Sequence, residues 1–155
     1  KTVPAMLTRY GYLEDAMKMI TKREAPSWGY WVETMGYTTL PETWTLSPEF
    51  RDASLNHVFM GDVSAWMMNQ LAGINYDERQ PGFRHIRFTP HFPADMQWAK
   101  GSYDSVAGEI SSEWKRTEEG KIQLTVKVPL GCTAELVLEG KTVDLTAGTH
   151  QIVVS

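Results

Sequence analysis

The hydrophobic period of the chain changes once, and this change constrains the fold more than any other feature of the sequence. Before Gly73 apolar residues recur at three- and four-residue steps; after it they alternate. Met6, Tyr10, Leu13, Met17 and Ile20 mark one face of a first helix, and Lys18, Lys22 and Arg23 suit the negative end of its dipole. Pro26 stops that helix. Ser27 is placed to cap a short second one, on which Trp28, Trp31, Val32 and Met35 share a face before Gly36 ends it. The stretch from Tyr37 to Arg51 contains Pro41, Ser47 and Pro48 and reads as a loop. A third helix is predicted from Asp52 or Ser54 to Gly73, with Leu55, Val58, Phe59, Val63, Trp66, Met67 and Leu71 as its buried stripe. Gly61 within it costs about 1 kcal/mol relative to Ala, which implies a close packing partner.

Beyond Gly73 short segments alternate apolar and polar residues. Ile86 and Phe88 flank Arg87, and Val106, Gly108, Ile110, Ser112 and Trp114 fall on one face of a second strand. Ile122, Leu124, Val126 and Val128 alternate strictly, followed by Ala134, Leu136 and Leu138, then Val143 and Leu145, then Ile152 and Val154. Glu119-Gly120, Leu130-Gly131, Glu139-Gly140 and Ala147-Gly148 supply the turns between them. Strands of this spacing with one polar face each predict an antiparallel sandwich. The expected class is therefore α+β, with a helical part over residues 1–79, a β-sandwich over 80–155 and a boundary in the polar stretch Asn75–Gly82. Three helices with broad apolar stripes do not make a domain alone. They predict the tail of a larger helical domain, or self-association through exposed helix faces.

Composition narrows the function classes. With 22 % charged residues and a net charge of −4, the chain lacks the basic face that phosphate backbones require, so nucleic acid is not expected as a partner. No run approaches the roughly 18 apolar residues of a membrane span, and no membrane partner is expected. The four histidines, 57, 85, 91 and 150, form no i, i+4 pair or Cys/His cluster, so neither a metal nor a cofactor is expected. Cys132, the single cysteine, follows Gly131 at a strand turn and reads as structural. The start Lys1-Thr2-Val3-Pro4 shows neither an initiator Met nor a signal-peptide pattern, so the chain reads as a processed chain or a fragment. No targeting segment in the sequence assigns a compartment.

Six tryptophans are many for this length, and Trp28, Trp31 and Trp44 fall in one window with Tyr30 and Tyr37. Sugars present flat C–H faces that pack on rings, so clustered Trp beside a carboxylate suits a sugar site; equally, such rings fill cores. In Thr39-Leu40-Pro41-Glu42-Thr43-Trp44 a carboxylate stands on a Pro-stiffened loop beside a tryptophan. Glu42 is either a solvated loop glutamate or one of the two carboxyl groups that glycoside hydrolysis needs. His57, in Ser54-Leu55-Asn56-His57, either sits at a core edge or hydrogen-bonds a sugar hydroxyl.

In these residues the chain resembles the bacterial α-L-rhamnosidases, inverting glycosidases with an (α/α)6 barrel and a C-terminal β-sandwich. Pro26-Ser27-Trp28-Gly29-Tyr30-Trp31, the run from Gly36 to Trp44, Ser54-Leu55-Asn56-His57 through Ala72-Gly73-Ile74, and Pro81-Gly82-Phe83 carry the likeness in order and spacing. The resemblance implies the last barrel helices followed by an antiparallel sandwich, with Glu42 as the general base. It implies that His57 contacts the bound sugar and that Trp44 lines the same pocket. It further implies that a rhamnose-containing glycan is the substrate, and that the general acid belongs to the remainder of the barrel. Where the family often has Trp-Glu-Arg-Trp, this chain has Pro41-Glu42-Thr43-Trp44, which bears on sugar and aglycone preference. Two alternatives stay open: a non-catalytic carbohydrate-binding or structural sandwich, and a helical-barrel glycosidase of other sugar preference.

Overall fold

The structure is a computed structural model that describes residues 2–44 and 53–154. The predicted loop residues Ser47, Pro48 and Arg51, and Asp52 as a helix start, lie outside the described residues. The chain divides into two compact units, Lys1–Trp66 and Met67–Ser155.

In the first unit the expected single N-terminal helix is two. Helix α1 (Val3–Arg9) and helix α2 (Leu13–Thr21) are separated at Gly11, whose φ of +86° is a left-handed conformation that ends a helix and suits only glycine well. Tyr10, assigned to the apolar stripe by spacing, is consequently 72 % exposed. The buried face of α2 is Ala16 and Ile20. The Thr8 hydroxyl donates to the Pro4 carbonyl at 2.9 Å and accepts from the Trp66 indole at 3.1 Å, so this core hydroxyl is satisfied twice.

The second predicted helix is present but wound as a π turn over Tyr30–Thr34. Ser27 plays the capping role expected of it: its hydroxyl oxygen accepts from the Tyr30 amide at 2.9 Å, and the hydroxyl donates to the Lys22 carbonyl. Gly29 is required by close approach, because a Cβ there would stand 2.5 Å from the Thr21 carbonyl oxygen at the end of α2. Of the four residues expected to share a buried face, Trp28 and Trp31 are buried, whereas Val32 and Met35 are exposed.

The third helix corrects its predicted start. Helix α3 runs only Asp62–Trp66, and Leu55, Val58 and Phe59 are exposed rather than part of a buried stripe. Ser54 and His57 use their backbone groups elsewhere. The Glu42 amide donates to the Ser54 carbonyl and the His57 amide to the Leu40 carbonyl, each at 2.9 Å. Cross-loop bonds of this kind replace the helical i to i−4 ladder. Trp28, Trp31, Trp66, Met60 and Val63 are all buried. The tryptophans assigned to an unpartnered face are thus covered within the chain itself.

The second unit opens with a π turn at Met67–Leu71 and continues as eight strands. They are β1 (Ile74–Tyr76), β2 (His85–Phe88), β3 (Trp98–Ser105), β4 (Gly108–Arg116), β5 (Ile122–Val128), β6 (Thr133–Leu138), β7 (Lys141–Leu145) and β8 (Gly148–Val154). Two four-stranded sheets result, ordered β1-β2-β6-β7 and β3-β4-β5-β8. Their buried residues include Ile86, Phe88, Ala134 and Leu136 from the first, and Ile110, Trp114, Leu124 and Val126 from the second. The α+β class and the sandwich thus agree with the period of the sequence. One pairing does not: β2 and β6 run parallel, Ile86 opposite Ala134 and Phe88 opposite Leu136, while the other pairs are antiparallel. Val106, assigned to a strand face, lies in the two-residue turn between β3 and β4 and is 97 % exposed. The Trp114 indole donates to the Leu71 carbonyl at 2.8 Å, tying the π turn to the sheet. Cys132 is free and buried.

No helix among the described residues is long and apolar enough to cross a membrane.

Candidate functional site

The loop carrying Glu42 is held by backbone and side-chain bonds to the segment carrying His57. Besides the two amide bonds above, the Thr39 hydroxyl donates to the Leu55 carbonyl at 2.7 Å. Pro41, immediately before Glu42, is buried and anchors the loop from beneath. Glu42 itself remains accessible, its side chain 43 % exposed. Its Oε2 accepts the Ser54 amide at 3.1 Å, which orients the carboxylate and leaves Oε1 on the side of His57.

His57 meets that second oxygen. Its Nδ1 accepts the Phe59 amide at 3.1 Å, so in the neutral ring the proton sits on Nε2. Nε2 lies 3.9 Å from Glu42 Oε1, too far for a direct hydrogen bond but suited to a hydroxyl or water oxygen bridging both groups. The donor on one side and the acceptor on the other are what a sugar hydroxyl, which both donates and accepts, requires.

Trp44 belongs to a ring cluster. It stacks on Trp31 with centroids 4.4 Å apart and planes 25° apart, and meets Trp28 edge-to-face at 4.8 Å. The Trp28 indole donates to the Met60 carbonyl at 2.8 Å, which fixes the cluster to the chain just before α3. Trp44 is half-buried, whereas Trp28 and Trp31 are buried. The three residues singled out from sequence therefore divide into a polar pair, Glu42 with His57, and a ring that caps the tryptophan core. Beside them lies a cavity of about 260 Å³ lined by Gly36, Tyr37, Thr38, Thr39, Pro41 and Leu55.

The contribution that sequence reasoning missed is Ser54, whose backbone N–H positions the carboxylate. The Ser54 hydroxyl oxygen in turn accepts from the Asn56 amide at 3.2 Å, a local turn of the kind Ser favours outside helices. Among the described residues no three His, Cys, Asp or Glu side chains converge as metal ligands would.

Comparisons with known proteins agree on one family. Residues 1–71 match the bacterial α-L-rhamnosidase six-hairpin glycosidase domain, and residues 73–153 match the bacterial α-L-rhamnosidase C-terminal domain. An α-L-rhamnosidase from Formosa agariphila is 32 % identical over 136 residues, covering 86 % of this chain and 14 % of the relative. One from Streptomyces avermitilis is 30 % identical over 153 residues, covering 94 % of this chain and again 14 % of the relative. Among solved structures, the Streptomyces avermitilis α-L-rhamnosidase complexed with L-rhamnose superposes with a TM-score of 0.86 at 26 % identity. That match covers 97 % of this chain and 17 % of the other. The native rhamnosidase of Aspergillus terreus gives 0.88 at 28 % identity, covering 98 % of this chain and 18 % of the other. The chain thus spans about one seventh of the length of the curated relatives it matches.

Proposed function

The chain belongs to the bacterial α-L-rhamnosidase family, and from that premise we propose that it is the C-terminal part of an enzyme that hydrolyses terminal α-L-rhamnosides with inversion. In this reading the helical segments complete the catalytic domain and the strands form the C-terminal domain. Glu42 is the general base, and a rhamnose-containing glycan is the substrate. The observation that carries the reading is the Glu42–His57 pair: an accessible carboxylate with one oxygen fixed by an amide and the other facing an imidazole N–H.

The mechanism assigns each oxygen a task. Glu42 Oε2 is occupied by the Ser54 amide, so Oε1 receives the proton of the attacking water. His57 Nε2–H donates to a sugar hydroxyl and sets the ring relative to that water. The water attacks the anomeric carbon on the face opposite the leaving oxygen. A second carboxyl group, supplied by the part of the enzyme outside this chain, protonates the leaving oxygen. Inverting enzymes hold the two groups about 6.5–9.5 Å apart so that water fits between them. Trp44 closes one wall through its stack on Trp31.

The test is stereochemical. Hydrolysis of 4-nitrophenyl α-L-rhamnoside by the intact parent, followed by proton NMR within the first minutes, should show β-L-rhamnose before mutarotation. First release of the α anomer would exclude inversion, and absence of turnover would exclude the substrate class.

A further inference from the structure

The outer face of the sheet β3-β4-β5-β8 carries an arrangement that the Glu42 loop does not use. Strand register sets its rows. Trp98 on β3 lies opposite Lys115 on β4, Lys115 opposite Gln123 on β5, and Gln123 opposite Val153 on β8. The next outward row is Lys100, Glu113, Thr125 and Gln151. Between them runs a groove of about 470 Å³, lined by Glu113, Lys115, Gln123, Thr125, Gln151 and Val153. That size lies within the range of small-molecule sites, about 300–1,000 Å³.

Two features separate this face from an ordinary solvated sheet. The first is Trp98. Trp28, Trp31, Trp66 and Trp114 are buried and Trp44 is half-buried, but Trp98 is 65 % exposed. Its flat ring stands on the outer face of the edge strand β3, next to Lys115 in the register, where the C–H face of a sugar can stack on it. The second is the polar set beside it. Lys100 pairs with Glu113 at 3.4 Å and Lys127 with Glu109 at 2.7 Å, so most of the charge on the face cancels. Lys115, Gln123 and Gln151 make no side-chain hydrogen bond or ion pair to any described residue. Each Gln amide offers donors and an acceptor together, as vicinal sugar hydroxyls require, and Lys115 adds a further donor. A near-neutral, hydroxyl-matching groove beside an exposed ring fits a saccharide better than a nucleic acid or a membrane surface.

We propose that this face is a second, non-catalytic glycan-binding site, with Trp98 stacking on a sugar ring and Lys115, Gln123 and Gln151 hydrogen-bonding its hydroxyls. It would hold a neighbouring stretch of the polysaccharide while the catalytic domain works on a chain end. The choice of a rhamnose-containing probe rests on the functional reading above.

The experiment is affinity electrophoresis of the intact parent enzyme in native gels containing soluble rhamnogalacturonan, with dextran gels as control. Wild type, Trp98→Ala and the double variant Gln123→Ala/Gln151→Ala are compared, each assayed in parallel on 4-nitrophenyl α-L-rhamnoside. The wild type should be retarded by rhamnogalacturonan alone. Both variants should bind roughly tenfold more weakly while cleaving the aryl glycoside at the wild-type rate. A wild type that is not retarded, variants retarded as strongly as the wild type, or retention and aryl turnover falling together would each overturn the proposal. The two readings fail separately. Retention lost only in the variants supports this site even if the aryl rhamnoside is not cleaved, and cleavage without retention removes this site alone.

Discussion

Ser112 sits fully buried on β4, opposite Gly101 and Val126, and its hydroxyl has no hydrogen-bond partner among the described residues. An orphaned buried hydroxyl carries a desolvation cost of roughly 1–3 kcal/mol, so Ser112→Ala should raise stability by about 1 kcal/mol in urea unfolding. A loss of stability would reveal a partner for that hydroxyl. Asp77 shows the opposite situation. Its buried carboxylate accepts both Arg79 Nε and Nη2 at 3.0 Å and the Arg79 amide at 2.9 Å. The Arg79 side-chain bonds first, then its amide, hold the Asp77 pKa below the ordinary 3.8. A carboxyl lowered on folding contributes stability that is fully present above its unfolded pKa and is lost as pH falls through the lower folded value. Acid unfolding should therefore steepen below about pH 4, and Asp77→Asn should remove that part of the pH dependence; an unchanged acid limb in the variant would show that Asp77 takes no part. Glu42, Trp44 and His57 stand out because a carboxylate, a ring and an imidazole are chemically conspicuous in a Pro-bounded loop. The Ser54 amide that orients Glu42 was not legible, since every residue but proline has such a donor and only the fold chooses which one is used.

Elements were legible where an apolar face produces a period. Strands β2, β5 and β6 bury alternate residues as the spacing predicts, with β5 alternating along its whole length. Strand β3 was not anticipated. Its inward positions Ala99 and Gly101 are small, and a Cβ on Gly101 would meet Ala72 Cβ at 2.7 Å and Met68 Sδ at 2.8 Å. Close packing there demands small residues, and small residues carry no hydrophobic signal. The parallel pairing of β2 with β6 was equally hidden, because a strand buried on one face has the same period in either direction. In the helical unit the error was one of continuity: apolar spacing runs through Gly11 and through Ser54–His57, and the local turn chemistry at both places outweighs it. Gly29 offers the clearest test at this scale. Gly29→Ala would drive a methyl against the Thr21 carbonyl, which backbone cannot easily yield, and should destabilise the helical unit by about 1–3 kcal/mol. Chemical unfolding followed by near-UV circular dichroism, sensitive to the packed tryptophans, should register the loss; an unchanged midpoint would show that the end of α2 moves freely.

At the scale of the whole molecule, the chain forms two compact units and spans about one seventh of the length of the curated relatives it matches. The tryptophan core closes within Lys1–Trp66, while Val32, Leu55 and Phe59 remain exposed. Because one carboxylate cannot act as both base and acid, the 155-residue chain alone should give no release of 4-nitrophenol from its α-L-rhamnoside under conditions where the intact parent is active. Turnover by the chain alone would mean that the acid also lies within it. The central claim concerns Glu42, and the most direct measurement is the kcat of Glu42→Gln in the intact parent, on 4-nitrophenyl α-L-rhamnoside and on a rhamnose-terminated disaccharide. The amide keeps the shape and the Ser54 contact but cannot take a proton from water, so kcat should fall by about 10² to 10⁴ on both substrates with little change in KM. A good leaving group should not rescue the variant, because the missing step is the activation of water. A kcat near the wild-type value on both substrates would contradict the account and leave Glu42 as a solvated loop glutamate.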